Sequence, residues 1–298
     1  MPLSNSLDVA DVFRDRAQSG AASVPHATKV GVGLDVGCAA VDDGILCWGT
    51  NKFGQLGPLD SVPPSAAQSP RPIAVAPGAR TRDLVVGNAS FALLDDGTAV
   101  SWGANPPLAR VSSLFPDPNP LPIALVGVTS IDVANDNACA TAGGAGYCWG
   151  AALRKPDEQY SGTVPSTERV LPTPVVAPEP IVQIATTITM NRSVRSGGYK
   201  EVFLAPQRWC AVGASGAVYC WGDNTGGQAG DGTKNHAYEA VRVDGLPGPA
   251  AQVKRTVNAS CAMLTSGKVH CWGTDYYGQL GNGELKVASL APVEVVLP

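Results

Sequence analysis

Charge is what this sequence has least of. Asp, Glu, Lys and Arg make up 15% of its 298 residues, where a soluble globular domain carries roughly 25%. The net charge is −4, so the basic stripe that a nucleic-acid partner needs is missing and no such partner is expected. Histidine is confined to His26, His236 and His270, and no Cys-x-x-Cys spacing occurs. A zinc site therefore lacks ligands, and neither a metal nor a cofactor is expected. With His26 at the boundary of the N-terminal leader, no Ser/His/Asp nucleophile set can be assembled, and an enzyme is the less favoured class. No apolar run approaches the ~20 residues of a membrane span. Met1 is not followed by the basic-then-apolar pattern of a signal peptide.

Glycine and proline are plentiful, at 34 and 25 residues. Five Trp-Gly pairs recur, at Trp48, Trp102, Trp149, Trp221 and Trp272, each closing a short apolar hairpin such as CAAVDDGILCWG (38–49) or CAMLTSGKVHCWG (261–273). Their separations are 54, 47, 72 and 51 residues. A period near 50 built from short β segments and glycine turns predicts an all-β, closed propeller.

All eight cysteines lie in these hairpins. With Asp42-Asp43 as a two-residue loop, Cys38 faces Cys47, and the same frame pairs Cys139 with Cys148. A three-residue loop ending in Gly216 or Gly267 pairs Cys210 with Cys220 and Cys261 with Cys271. Directly opposed residues are within disulfide reach. In the second hairpin Phe91 and Ser101 replace both cysteines at once, as a bond requires. Inert reduced thiols remain the plainer alternative. Four disulfides would place the protein in an oxidising compartment, extracellular or periplasmic.

The tails after the tryptophans carry a resemblance. Trp48-Gly-Thr-Asn-Lys-Phe-Gly-Gln-Leu-Gly57, Trp221-Gly-Asp-Asn-Thr-Gly-Gly-Gln-Ala-Gly230 and Trp272-Gly-Thr-Asp-Tyr-Tyr-Gly-Gln-Leu-Gly281 resemble the regulator-of-chromosome-condensation repeat. The flanking cysteines are similar to those of its bacterial branch. The resemblance implies a β-propeller of about four strands per blade. It brings two precedents, an exchange factor for a small GTPase and a secreted β-lactamase inhibitor. The units at Trp102 and Trp149 lose the Gly-Gln-Leu-Gly tail, and no histidine stands two residues before any first cysteine position. Family propellers often have seven blades, but the spacing here predicts five.

Pro- or Val-led strands follow each Trp-Gly, at 71–76, 121–126, 174–176, 240–243 and 291–297. The last has no hairpin after it, so the C-terminal strand is expected to complete the N-terminal blade. Residues 1–25 read as a leader, a short helix or disordered, and 26–298 as one propeller domain. Asp223, Asn224, Asp231 and Asn235 suggest calcium by composition, but packing explains them better.

The Trp149–Trp221 interval contains an insertion at about 186–209, after an inner strand at Ile181–Ala185. Long loops in compact domains are usually functional or disordered. This one holds Arg192, Arg195, Tyr199, Lys200, Phe203, Arg208 and Trp209 in an acidic chain, the arginine-aromatic mixture of an interface anchor. A loop folded back as a plug of the central channel is the structural alternative. The favoured function is a monomeric, exported, protein-binding module, inhibitor-like in its mode, with an unidentified protein partner. A second class is a propeller enzyme or small-molecule binder using Asp35, Asn88, Asp136, Arg208 and Asn258 at the channel mouth. A third is a purely architectural repeat.

Overall fold

Each hairpin forms the middle pair of a four-stranded antiparallel sheet, and there are five such sheets among the described residues. The computed structural model describes residues 26–297 except 43, 59–65, 76, 77, 79, 106, 135, 136, 151–169, 189, 190, 197, 198 and 205–208, with the backbone alone for 191–196 and 199–204. The expected leader, 1–25, lies outside the described residues.

Blade 1 consists of β1 (Ala27–Val32), β2 (Val36–Val41), β3 (Gly44–Thr50) and β4 (Ala66–Ile73). Blade 2 consists of β5 (Thr81–Val85), β6 (Ala89–Leu94), β7 (Ala99–Gly103) and β8 (Asp117–Pro122). Blade 3 follows with β9 (Val128–Val133), β10 (Asn137–Ala142), β11 (Ala145–Gly150) and β12 (Thr173–Pro174). Blade 4 begins with β13 (Ile181–Thr186). It is then interrupted by β14 (Asn191–Ser196) and β15 (Tyr199–Leu204), and resumes with β16 (Trp209–Gly213), β17 (Val218–Gly222) and β18 (Ala237–Arg242). Blade 5 is β19 (Ala250–Arg255), β20 (Ala259–Leu264), β21 (Val269–Gly273) and β22 (Ser289–Glu294). The architecture is a five-bladed β-propeller.

Second strands are buried along their length in β6, β10 and β16. Burial on both faces explains why they carry no charged residue: the sequences are ASFALL, NACATA and WCAVG. The registers agree with the hairpin frame: Cys38 faces Cys47, Phe91 faces Ser101, Cys139 faces Cys148, Cys210 faces Cys220 and Cys261 faces Cys271. All four cysteine pairs are disulfides.

One expectation is corrected. β22 pairs with β21, His270 opposite Glu294 and Cys271 opposite Val293, and does not join the first sheet. Blade 1 has no vacancy to fill, because β4 is already its outer strand and β1 its inner one. The proline-led strand after each Trp-Gly belongs to that same blade.

The chain packs as two compact units. The first comprises blades 1 and 2, through residues 105 and 112–122. Its core joins Val36, Ile45, Leu56, Leu84, Leu94 and Trp102. Gly31 is required there: a Cβ on it would lie 2.6 Å from the Val86 side chain and 2.9 Å from the Leu84 carbonyl. The second unit comprises 106–111 and blades 3 to 5. It has two main clusters, around Val212, Val253, Leu264 and Trp272 and around Ile184, Trp209, Ala211 and Trp221.

Candidate interaction surface

The Trp-Gly pair is a joint. Its glycines take φ values of 103°, 108°, 103°, 98° and 109° at Gly49, Gly103, Gly150, Gly222 and Gly273, a region L side chains rarely adopt. The indole beside them reaches out of the blade. Trp102 donates to the Gln55 carbonyl at 2.9 Å, Trp149 to Pro107 at 2.8 Å and Trp272 to Gln228 at 2.9 Å. The tail is folded so that its carbonyl points there. Asn51, Asn224 and Asp275 accept the amides of Leu56, Ala229 and Leu280 at 3.0, 2.7 and 3.0 Å. Gln55, Gln228 and Gln279 accept those of Phe53, Gly226 and Tyr277 at 2.7, 2.8 and 2.7 Å. Asn224 also donates to Asp231 at 3.0 Å, so these polar residues are spent on packing.

The insertion is a second hairpin rather than a loop. β14 and β15 form a two-stranded sheet of their own, with Arg192 opposite Phe203, Arg195 opposite Lys200 and Ser196 opposite Tyr199 in the backbone register. It leaves the blade between β13 and β16, where each other blade has a connection of three residues. Both of its feet are fastened. On one side the Thr186 amide donates to Asp132 at 2.8 Å, the Thr186 hydroxyl to Asn137 at 2.5 Å, and Asn137 to the Thr187 carbonyl at 2.9 Å. Lys254 approaches Asp132 at 2.7 Å and keeps that carboxylate balanced. On the other side Arg255, only 9% exposed, donates to the carbonyls of Trp209 and Trp221 at 3.2 and 3.3 Å and of Gln228 at 3.3 Å. A buried guanidinium is tolerable only with such partners.

Asp132, Asn137 and Arg255 are the residues that sequence reading missed. Their signal was slight: a charged residue, or an amide, in an otherwise apolar inner or second strand. Trp209 needs correction as a contact residue. It is 5% exposed and lies opposite Trp221, with the two rings 6.3 Å apart. The matching positions in the other blades are Gly37, Ser90, Ala138 and Ser260. Trp209 fills the space those small residues leave, and belongs to the blade. Arg208 lies outside the described residues.

The channel-mouth candidates have backbone work. The carbonyls of Asp35, Asn88 and Asn258 accept the amides of Thr50, Ala104 and Thr274, each at 2.8 Å, just past the Trp-Gly joint. Asp136 lies outside the described residues. Among the described residues no three His, Cys, Asp or Glu side chains are grouped to hold a metal ion. No helix among them is long and apolar enough to cross a membrane. A groove of about 380 Å³ in the second unit is lined by Ile123, Leu125, Val126 and Ala142, with Tyr147 as its one titratable side chain.

Comparison with known proteins bears on the joints and tails. The model of the Regulator of chromosome condensation (RCC1) repeat matches residues 257–279, which span the last Trp-Gly joint. Human E3 ubiquitin-protein ligase HERC2 is 34% identical over 87 residues, 29% of this chain and 2% of that protein. The Ultraviolet-B receptor UVR8 of Arabidopsis thaliana is 24% identical over 266 residues, 85% of this chain and 54% of the receptor. Prp20p from Saccharomyces cerevisiae superposes with a TM-score of 0.68 at 14% identity, over 96% of this chain and 66% of that one. The chain carries one RCC1 repeat and has the propeller fold of Prp20p. It spans about half of UVR8 and a small part of HERC2.

The chain keeps the tail's geometry even where the repeat motif is lost. After Trp102 the segment Pro107-Leu108-Ala109 stands two residues nearer the joint than Gln55-Leu56-Gly57. Leu108 is buried as Leu56 is, and the Pro107 carbonyl meets an indole as Gln55 does. Ala109 takes φ 57°, in the place of Gly57 at 76°. The carbonyl of Ala109 accepts the Ala124 amide, as Gly281 accepts that of Val296, each at 2.8 Å. The corresponding tail after Trp149 lies outside the described residues.

Proposed function

We propose that this RCC1-like propeller is a protein-binding module of an exported protein, and that the β14–β15 hairpin meets the partner. The observation that carries the reading is the pair of fastened feet. Buried polar groups hold Thr186–Thr187 and Trp209, so the excursion between them leaves and rejoins rigid scaffold. Presenting contact residues from a fixed base limits the entropy lost on binding. Arg192, Arg195, Tyr199, Lys200, Phe203 and Arg208 supply the contacts in this reading, and the arginine-aromatic content suits an interface centre. Prp20p, which shares the fold, is described by its binding to Gsp1p and histones; here that supports protein binding as a class, with the partner left open. Four disulfides support export to an oxidising compartment.

The test is affinity capture from the native source with the intact chain and with Arg192→Glu/Arg195→Glu/Lys200→Glu. The reading expects a protein held by the first and lost by the second, with disulfides and circular dichroism unchanged. The same set of proteins held by both would overturn it.

A further inference from the structure

Outer strands expose the edge of a sheet, and proline guards such edges because it has no N–H to offer. In this propeller the guard stands at registered positions. Opposite the second hairpin-cysteine position lie Arg71, Leu121, Thr173, Val241 and Val293 in blades 1 to 5. The residue before each is Pro70, Pro120, Pro172 and Pro292 in blades 1, 2, 3 and 5, but Ala240 in blade 4. The residue after is Pro72, Pro122 and Pro174 in blades 1 to 3, Glu294 in blade 5, and Arg242 in blade 4. Blade 4 alone has proline at neither place.

The ladder shows which way these amides point. The Val243 amide donates to the Val218 carbonyl at 2.8 Å. Alternation along an antiparallel pair then turns Val241 toward Cys220, and turns the backbone N–H and C=O of Ala240 and Arg242 outward. Proline in the other blades thus removes outward donors, while β18 keeps both. Among the described residues no strand pairs with the outer side of β18. Within it Tyr238 is 48% exposed, and Glu239 and Arg242 are exposed as well.

We propose that β18 pairs antiparallel with β18 of a second copy of this chain, joining two blade 4 sheets across a twofold axis. The strand is self-complementary. An axis at Ala240 or Val241 sets outward amides against outward carbonyls and brings Arg242 of each copy toward Tyr238 of the other, across the register shift between Ala237 and Val241. Guanidinium over phenol is a favourable cation–π pair, and a twofold axis makes every contact twice. An axis at Arg242 would set the two guanidinium groups face to face, so the register is constrained. This revises the expectation of a monomer. Its consequence for function, which rests on the hairpin reading above, is that one assembly carries two β14–β15 hairpins and gains avidity for a partner with two matching sites.

Sedimentation velocity of the full chain over a concentration series tests the pairing without any partner. Wild type is expected to sediment as two copies when concentrated and to dissociate on dilution. Ala240→Pro places in blade 4 the residue that four blades already accommodate, and is expected to sediment as one copy with its disulfides intact. Arg242→Glu leaves every backbone donor in place; it should weaken association by about tenfold through loss of the tyrosine contact. It also serves if the proline variant misfolds. A single copy for wild type at every concentration, or association that neither variant weakens, would overturn the proposal. Either result leaves the capture experiment, and so the hairpin reading, standing on its own.

Discussion

Among the described residues Ala109 and Lys286 are the non-glycine residues with positive φ, at 57° and 63°, and they respond to glycine differently. A left-handed backbone costs an L residue ~1–2 kcal/mol, of which the extra freedom of unfolded glycine takes back ~0.5–1 kcal/mol. Lys286 is exposed, so Lys286→Gly should gain the remainder, about 0.5–1 kcal/mol, and raise Tm by roughly 1–3 °C. Ala109 is fully buried, and its lost methyl costs ~0.8 kcal/mol. Ala109→Gly should therefore leave Tm within about a degree of wild type. Scanning calorimetry of the pair checks both. Glu179 offers a pH-dependent case. The Ser215 hydroxyl at 2.6 Å, the Ser215 amide at 2.8 Å and the Tyr219 hydroxyl at 3.0 Å donate to its carboxylate. The Ser215 bonds are the main cause that lowers its pKa. A lowered folded pKa gives stability that is complete above the unfolded value and fades as pH falls through the folded one. Glu179→Gln should melt below wild type at neutral pH, and the gap should close as pH drops below about 4. A gap independent of pH would contradict that role.

Elements were legible where the pattern was local. The cysteine registers follow from counting back from each turn, and they agree in all four disulfide hairpins. The insertion was read as a loop, although Gly197-Gly198 between two six-residue runs is a two-residue hairpin signal. The first run, NRSVRS, is polar and the second, YKEVFL, does not alternate, so neither carries the usual strand pattern. Trp209 was misplaced for a different reason: its position just before Cys210 puts it opposite Trp221, which the hairpin frame already implied. The fastened feet were not legible, because Asp132 and Thr186 come from different blades and meet only through the inner strands. Their importance is testable at this scale. Asp132→Ala removes the acceptor for the Thr186 amide, a charge-assisted bond of ~1.5–3 kcal/mol. Hydrogen exchange at Thr186 should quicken by roughly tenfold or more, while exchange in β21 stays as in wild type. Equal protection in the variant would show that Asp132 does not hold the hairpin's base.

At the scale of the whole molecule, the repeat period was enough for the propeller and its five blades. The path of the C-terminal strand was not, since a trailing strand fits either its own blade or the first. What decides it is the occupancy of blade 1 by β4, whose strand starts at Ala66, five residues before the proline-led pattern. The disulfides are staples within blades, each closing a separation of 9 or 10 residues. Each is worth about 2–3 kcal/mol by loop entropy. Cys261→Ala should lower Tm without reductant, and the difference from wild type should vanish once dithiothreitol opens every bridge. An unchanged Tm without reductant would mean that this bridge adds nothing.

The claim that matters most is that the blade 4 hairpin, held at both feet, is where this propeller meets another protein. The direct measurement is capture from the native source with the intact chain beside a version whose residues 190–207 are replaced by a short Gly-Ser turn, both checked for disulfides and fold. The account expects a partner that the intact chain retains and the replacement loses entirely. Identical captures from the two, or none from either, would contradict it and return the insertion to the scaffold.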